Sequence, residues 1–208
     1  MAFLSEKLYK LKRFGASLFT YDCASCGKAA RGSCLCEKCL NKLEPVPNYH
    51  NGYGFAFYYD GPARDAVLRY KFGADCDFCF DTLCDWLMAA FENLDERDFD
   101  AVVPVPDFEH GVTRLSRLAE KFSYLAKIPF APQILKKVRE TEKQHKLSGE
   151  DRRKNLKDAF CASDLVKGKT VLLVDDIFTT GSTALECSKA LYDAGAEKVC
   201  VITMLKTK

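Results

Sequence analysis

The apolar residues of the chain follow two spacings, a continuous one typical of buried strands and a helical one. Residues 171–174 are apolar throughout, which predicts a strand buried on both faces of a parallel sheet. The next segment, 184–194, has apolar residues at helical spacing and stops at Gly195, a residue that suits a helix end. A second apolar run starts at Ala101, and residues 115–125 again show helical spacing. Strands that alternate with helices in this way predict an α/β fold, a parallel sheet flanked by helices.

Further segments complete this outline. Residues 53–60 alternate like a strand and precede a helix at about 63–70, and a second helix is predicted at about 77–93. Residues 1–22 predict a basic amphipathic helix, which we expect to dock on the following domain, although such helices also lie on membranes or acidic partners. Residues 136–157 are polar and basic, and suit either a mobile loop facing a phosphate site or a solvated surface with affinity for nucleic acid.

Composition narrows the class of protein. The chain has 208 residues with 48% hydrophobic and 29% charged residues, which fits one α/β domain with a small appendage. A net charge of +2 argues for neither nucleic acid nor membrane as a partner. The eleven cysteines are clustered and odd in number, and nothing at the N-terminus resembles a secretory signal. We therefore expect zinc in a reducing, cytoplasmic setting rather than a disulfide framework.

The first cysteines are spaced as a zinc site. Two Cys-x2-Cys pairs place two thiolates each on a tight turn, and four thiolates make a closed tetrahedral site with a structural role. Cys34 is then the spare thiol, or it exchanges with Cys36. A proline-rich linker at 43–48 divides the chain into an N-terminal helix and zinc module, 1–47, and an α/β domain, 48–208. The predicted ligands are Cys23, Cys26, Cys36 and Cys39.

A second group of cysteines, Cys76, Cys79 and Cys84, has two interpretations. It is either another metal site or part of the buried face of the helix predicted at 77–93. We favour the core, because cysteine is a common core residue and this segment is rich in large apolar side chains. Those side chains are Phe78, Phe80, Leu83, Trp86, Leu87 and Phe91.

The chemistry is concentrated directly after the apolar run 171–174. Asp175 and Asp176 stand where open α/β sheets place their ligands, and as hydrogen-bond acceptors they suit vicinal hydroxyls or the waters of a metal ion. A run of hydroxyl groups around one glycine follows at a predicted helix N-terminus, which attracts phosphate. Together they describe a receptor for a ribose 5-phosphate, although Asp-Asp could also merely end a strand and cap its turn. The phosphate-binding residues are Thr179, Thr180, Gly181, Ser182 and Thr183.

This stretch resembles the binding motif for phosphoribosyl pyrophosphate (PRPP) in type I phosphoribosyltransferases. The remaining segments resemble, more narrowly, the ComF-like phosphoribosyltransferase-domain proteins of bacteria, which are associated with competence for DNA uptake. The resemblance covers nearly the whole chain, from the cysteine pairs to the acid and hydroxyl motif. Its other matches are Tyr59-Asp60-Gly61-Pro62 with Lys71-Phe72, Pro104-Val105-Pro106, Ala159-Phe160, and Arg139 with Thr141, Gln144, Leu147, Arg152, Arg153 and Asn155.

The resemblance implies a type I phosphoribosyltransferase fold and an enzyme that transfers a phosphoribosyl group to an unidentified nitrogenous acceptor, releasing pyrophosphate. It implies that Asp175 and Asp176 hold the ribose hydroxyls or the waters of Mg²⁺, and that the loop from Thr179 to Thr183 holds the 5-phosphate. Such catalysis would consist mainly of positioning and of neutralising the leaving group. Basic residues that could close over it are Lys143, Lys146, Arg152 and Arg153.

One segment departs from the family pattern. Where the family has an Arg-Gly-Phe-Asn-Gln run, this chain has His110-Gly111-Val112-Thr113-Arg114. The family amides are missing near the expected pyrophosphate position, where Arg114 or Arg117 could stand instead. The alternative function is therefore a non-catalytic PRPP-site protein that acts in DNA uptake by binding single-stranded DNA or a helicase partner.

Overall fold

The computed structural model describes residues 20–47, 51–73, 77–107, 112–140 and 156–208. Most of the amphipathic helix predicted for 1–22 lies outside these ranges, as does the centre of the basic segment 136–157. The described strands are β1 (Thr20–Asp22), β2 (Ala29–Arg31), β3 (Tyr53–Tyr58), β4 (Ala101–Pro104), β5 (Leu135–Lys137), β6 (Phe160–Ala162), β7 (Thr170–Phe178) and β8 (Lys198–Lys206). The described helices are α1 (Glu37–Leu40), α2 (Gly61–Phe72), α3 (Phe80–Glu92), α4 (Arg114–Ala126) and α5 (Ser182–Asp193).

A four-stranded parallel sheet in the order β3-β8-β7-β4 forms the centre of the molecule. The predicted parallel sheet flanked by helices is confirmed. β7 is longer than the four residues predicted, because its pairing with β8 continues from Thr170 to Phe178 and includes Asp175. The central strand β8 was not predicted.

Each face of the sheet is covered by its own core. One face packs against α3 and α4 and includes Leu87, Phe122 and Leu172. The opposite face packs against α5 and the β5–β6 hairpin and includes Leu173 and Leu191. Neighbouring residues of β7 thus point into different cores, as the two-residue period of a strand requires.

Capping residues fix where the helices begin. Asp60 precedes α2, and its Oδ1 accepts a hydrogen bond from the Gly61 N–H at 2.7 Å. Thr113 precedes α4, and its Oγ1 accepts from the Ser116 N–H at 3.0 Å. Both are side chains that satisfy N–H groups left open by the start of a helix.

After α4 the chain returns to the open side of β4 before it forms a hairpin. Phe130 forms a single parallel bridge with Val102 at the open side of β4. The next strand, β5, pairs antiparallel with β6 instead. This hairpin lies on the core that contains α5.

The N-terminal segment packs closely on the sheet domain. The Val46 N–H donates to the Ala56 carbonyl at 3.0 Å, and the Tyr58 N–H donates to the Glu44 carbonyl at 2.9 Å, so the linker pairs with the edge strand β3. Its buried cysteines belong to the same core as α3. Among the described helices, none has the length and apolar character needed to cross a membrane.

Candidate functional site

The sheet opens at its carboxyl end between β4 and β7. β4 stops at Pro104, opposite Val174, whereas β7 continues beside β8. The helix after β4 packs on one face of the sheet and the helix after β7 packs on the other. Ligands of open α/β sheets bind where the helices that follow two neighbouring strands pack on opposite faces of the sheet.

Asp175 and Asp176 stand at this opening, inside β7 rather than after it. The Asp175 Oδ1 accepts a hydrogen bond from the Asp176 N–H at 2.8 Å. Asp176 Oδ2 lies 2.5 Å from the Lys71 Nζ at the end of α2. Asp175 lies toward α5, where burial and then the charge of Asp175 raise the pKa of the Cys187 thiol. The two carboxylates therefore stand beside one another with different partners, a backbone N–H for Asp175 and an ammonium for Asp176.

The electrostatic environments of these charged groups are unusual. Burial, and next the negative charge of Asp176, raise the pKa of Asp175 from 3.8 to about 7. Burial alone would lower the pKa of Lys71, but its contact with Asp176 raises that pKa above the usual lysine value. Such perturbed groups in a crevice are typical of functional sites.

The hydroxyl-rich loop turns directly into α5. Gly181 has a φ of 74°, in the left-handed region, and supplies no capping side chain to the helix. The first backbone hydrogen bond of the helix runs from the Leu185 N–H to the Gly181 carbonyl at 2.8 Å. The N–H groups before Leu185 therefore have no carbonyl partner within the helix. Thr180 and Ser182 share a 2.8 Å hydrogen bond between their hydroxyls. The loop thus presents donors at the positive end of a helix.

The end of the chain holds the start of this loop. The Thr207 N–H donates to the Phe178 carbonyl at 3.0 Å, and the Thr207 Oγ1 donates to the Thr179 carbonyl at 3.2 Å. Thr179 and Thr180 are themselves exposed. The predicted phosphate-binding residues therefore form one continuous stretch beside the two acids. Thr179 to Gly181 form the loop, and the buried Ser182 and the partly buried Thr183 begin α5.

Lys71 is a site residue that was not predicted, although Lys71-Phe72 is among the matches to the family. Lys71 and Asp176 are far apart in the sequence, and the packing of α2 brings their side chains together. Charge alone could not have distinguished Lys71 from the other basic residues of α2.

Arg114 and Arg117, the arginines that could stand near the pyrophosphate, both have partners within the protein. The Arg114 guanidinium donates to the Tyr70 carbonyl and, at 3.2 Å, to the Gly73 carbonyl. Arg117 lies 3.5 Å from Asp77 on the surface. Both arginines are engaged with the segment around the end of α2. His110 and Gly111 lie outside the described residues, as do Lys143, Lys146, Arg152 and Arg153.

The four predicted zinc ligands converge at one point. The Sγ atoms of Cys23, Cys26, Cys36 and Cys39 all lie within 4.8 Å of one another, and this cluster could hold a metal ion. The Cys26 and Cys36 Sγ atoms are 3.6 Å apart, close to the edge of about 3.8 Å expected for a tetrahedron with Zn–S bonds of about 2.3 Å.

Several other cysteines of the described chain lie in the core, whereas Cys161 is exposed. Cys34 is fully buried, and its N–H donates to Thr82 Oγ1 of α3 at 3.0 Å. Cys79 and Cys84 are also fully buried, whereas Cys76 lies outside the described residues. Cys34 thus joins the module to α3 and is not part of the four-thiol cluster.

Comparison with known proteins agrees with this architecture. The family described as the phosphoribosyl transferase domain matches residues 83–208, a span that includes β4, β7, α5 and β8. This chain belongs to that family. The match includes both acids and the hydroxyl loop, and the predicted type I phosphoribosyltransferase fold is confirmed.

The phosphoribosyltransferase-domain relatives include proteins named for competence and DNA use. The chain is 31% identical over 192 residues to competence protein F of Haemophilus influenzae, covering 86% of this chain and 82% of that protein. It is 32% identical to DNA utilization protein YhgH of Escherichia coli K12, over 89% of this chain and 84% of that protein. It is 29% identical to competence protein ComFC of Streptococcus pneumoniae, covering 89% and 80%. The predicted ComF-like membership is confirmed.

Proposed function

We propose that the protein binds PRPP and transfers its phosphoribosyl group to a nitrogenous acceptor whose identity is open. The observation that carries the proposal is the adjacency of two carboxylates and a glycine-capped hydroxyl loop at the opening between β4 and β7. The carboxylates suit the ribose hydroxyls, and the loop at the start of α5 suits the 5-phosphate.

The residues of this site would act mainly by positioning. With the phosphate fixed at Thr179 to Thr183 and the diol at Asp175 and Asp176, the ribose C1 faces the opening of the sheet. The C1–O bond to pyrophosphate breaks, the leaving oxygen keeps the electron pair, and the acceptor nitrogen forms the new C1–N bond and loses its proton to solvent. Fixing the reacting atoms in this way lowers the barrier because little further ordering is needed.

The donor sets fit two metals with different roles. Mg²⁺ is commonly held by one or two carboxylates together with substrate phosphates, and Asp175 and Asp176 offer such a pair. When bound, Mg²⁺ would neutralise charge on the pyrophosphate. The four thiols at Cys23, Cys26, Cys36 and Cys39 fit a closed zinc site that stabilises the module. Thiolate ligands of this kind suit a reducing cytoplasm.

A second candidate function is supported by the names of the relatives. Competence protein F and DNA utilization protein YhgH are similar to this chain over most of its length. In this alternative, the PRPP site is a sensor without transferase activity, and the protein acts in DNA uptake by binding single-stranded DNA or a helicase.

Ligand-dependent stabilisation tests the shared part of both functions. We expect PRPP with Mg²⁺ to raise the unfolding temperature, because a ligand of the folded state stabilises by about 2.7 kcal/mol at a hundredfold excess over Kd. The Asp175→Ala, Asp176→Ala double variant should lose this shift. An unchanged wild-type unfolding temperature in a zinc-loaded protein would contradict the proposed PRPP site.

Two further measurements separate the candidates. Release of pyrophosphate from PRPP that depends on an added nucleobase or amine would support the transferase. PRPP binding without such release, together with DNA binding whose affinity falls steeply with salt, would favour the DNA-uptake function.

A further inference from the structure

The end of α2 brings a cation to the acidic pair. α2 begins at the carboxyl end of β3, where the Tyr59 N–H donates to the Lys206 carbonyl at 2.8 Å. Its last turn contains Lys71, whose Nζ lies 2.5 Å from Asp176. The Lys71 side chain is 33% exposed and that of Asp176 is 18% exposed. A partly exposed ammonium in this position can contact both the protein and a ligand in the crevice.

The positive charge of Lys71 offsets negative charge in the proposed site. PRPP carries a phosphate and a pyrophosphate, and the proposed site already contains two carboxylates. The like charges of ligand and acids repel each other, and a cation of the protein would reduce this repulsion in addition to bound Mg²⁺. The titratable groups that face Lys71 are Asp176, Asp175 and Tyr59, so the ammonium is the positive group within this set.

Arg114 determines where the end of α2 lies. Its guanidinium donates to the carbonyls of Tyr70 and Gly73, which flank Lys71 in sequence. In return, the Tyr70 hydroxyl donates to the Arg114 carbonyl at 3.1 Å, and the guanidinium carbon lies 5.9 Å from the centre of the Tyr70 ring. Because carbonyl groups at a helix end have no partner within the helix, a guanidinium that binds two of them fixes the last turn.

We propose that Lys71 is a ligand-positioning residue that exchanges its contact with Asp176 for a phosphate oxygen of PRPP, and that Arg114 holds it in reach. This inference rests on the proposed PRPP site and adds two residues to it. Lys71 would touch the ligand, whereas Arg114 acts only through the end of α2.

Calorimetric titration of the zinc-loaded protein with PRPP and Mg²⁺ tests the role of Lys71. Lys71→Met should weaken binding by about ten- to a hundredfold, the effect of a lost hydrogen bond between charged groups. Lys71→Arg should restore much of the affinity. The matched control is Arg64→Ala, which removes an exposed cation from the same helix. Binding by Lys71→Met within twofold of wild type would overturn the role of Lys71.

A double-variant comparison tests Arg114. Arg114→Ala should weaken PRPP binding in the wild-type background but add little to Lys71→Met, because both changes remove the same contact. Arg114→Lys cannot bind two carbonyls as a planar guanidinium does, so its PRPP affinity should lie between those of wild type and Arg114→Ala. The control is Lys121→Ala, which removes another cation from α4. If Arg114→Ala weakened PRPP binding as much in the Lys71→Met background as in wild type, the positioning role of Arg114 would be overturned.

A crystal structure of Arg114→Ala without PRPP gives a readout that needs no ligand. We expect the Lys71 Nζ to have left Asp176, and an unchanged contact would overturn the role of Arg114. If wild type fails to bind PRPP, the proposed function and the ligand contact of Lys71 fall together, while this structure still decides the Arg114 claim. If wild type binds and Lys71→Met binds equally well, the further inference alone falls.

Discussion

Asp175 has an environment that favours ligand binding over stability. Its pKa is raised from 3.8 to about 7 by burial and then by the negative charge of Asp176. A carboxyl whose pKa is higher in the folded than in the unfolded state stabilises the fold while protonated. That contribution is present below about pH 4 and is lost as the pH rises to about 7. Groups kept under such strain are typical of functional sites.

Asp175→Asn should therefore stabilise the ligand-free protein, and by more at pH 7.5 than near pH 4. A pKa raised from 3.8 to about 7 corresponds to at most about 4 kcal/mol. The amide oxygen can still accept the Asp176 N–H. Thermal unfolding in Mg²⁺-free buffer at both pH values measures the effect, with Asp193→Asn, an exposed acid on α5, as control. An equal gain at the two pH values would contradict the assigned environment of Asp175.

Gly181 is the second residue whose local geometry can be tested. A Cβ at this position would lie 2.7 Å from the Phe178 ring, in a backbone with a φ of +74°. Gly181→Ala should cost about 1–2 kcal/mol for the backbone alone and move the loop. We expect PRPP binding, measured by calorimetry, to weaken at least about fivefold, which corresponds to about 1 kcal/mol.

Gly168→Ala is the matched control for Gly181. Gly168 has a φ of +68°, and a Cβ there would meet nothing within 4 Å. It should lower stability without changing PRPP affinity. Equal affinities for the two variants would argue against the loop as the phosphate site.

At the level of elements, the sequence predicted what local periodicity determines. The buried run 171–174, the α5 helix and the helix containing Trp86 were all predicted, because each contains its own apolar pattern. The extension of β7 across Asp175 was not, because two charged residues interrupt the apolar run and only pairing with β8 sustains the strand. β8 itself was missed although Val199 to Leu205 is a typical buried strand.

The zinc module allows a test at the element scale. If the four clustered thiols hold one zinc ion, Cys39→Ser should abolish stoichiometric zinc, measured by atomic emission on the purified protein. Cys34→Ala should retain zinc, because Cys34 lies against Thr82 and outside the cluster. It should lower the unfolding temperature only through lost packing. Loss of zinc from Cys34→Ala, with retention in Cys39→Ser, would overturn this assignment.

At the scale of the whole molecule, distant segments assemble the candidate site. β7 supplies the acids, α2 supplies Lys71, α4 supplies Arg114, and the end of the chain supplies Thr207. Sequence motifs identified the acids and the loop because they are contiguous. Lys71, Arg114 and Thr207 could not be placed, since their roles depend on how α2, α4 and β8 end beside one another.

The four-cysteine module and the sheet domain share one hydrophobic core. Cys34 hydrogen-bonds to Thr82 of α3 at 3.0 Å, and Ser25 Oγ donates to Asp65 of α2 at 2.7 Å. Trp86, the single tryptophan of the chain, is 5% exposed on α3 and contacts Phe57 of β3 edge-on at 5.1 Å. We therefore expect one cooperative unfolding transition for residues of both parts.

Heating the zinc-loaded protein with a chromogenic zinc indicator should reveal zinc release and the Trp86 fluorescence change at the same temperature. Thr82→Val removes the acceptor of the buried Cys34 N–H, which should cost about 1–3 kcal/mol. Both transitions should then move down together, because the hydrogen bond belongs to the shared core. Zinc release well below the Trp86 transition, or a Thr82→Val effect confined to zinc release, would mean that the module unfolds independently of the sheet domain.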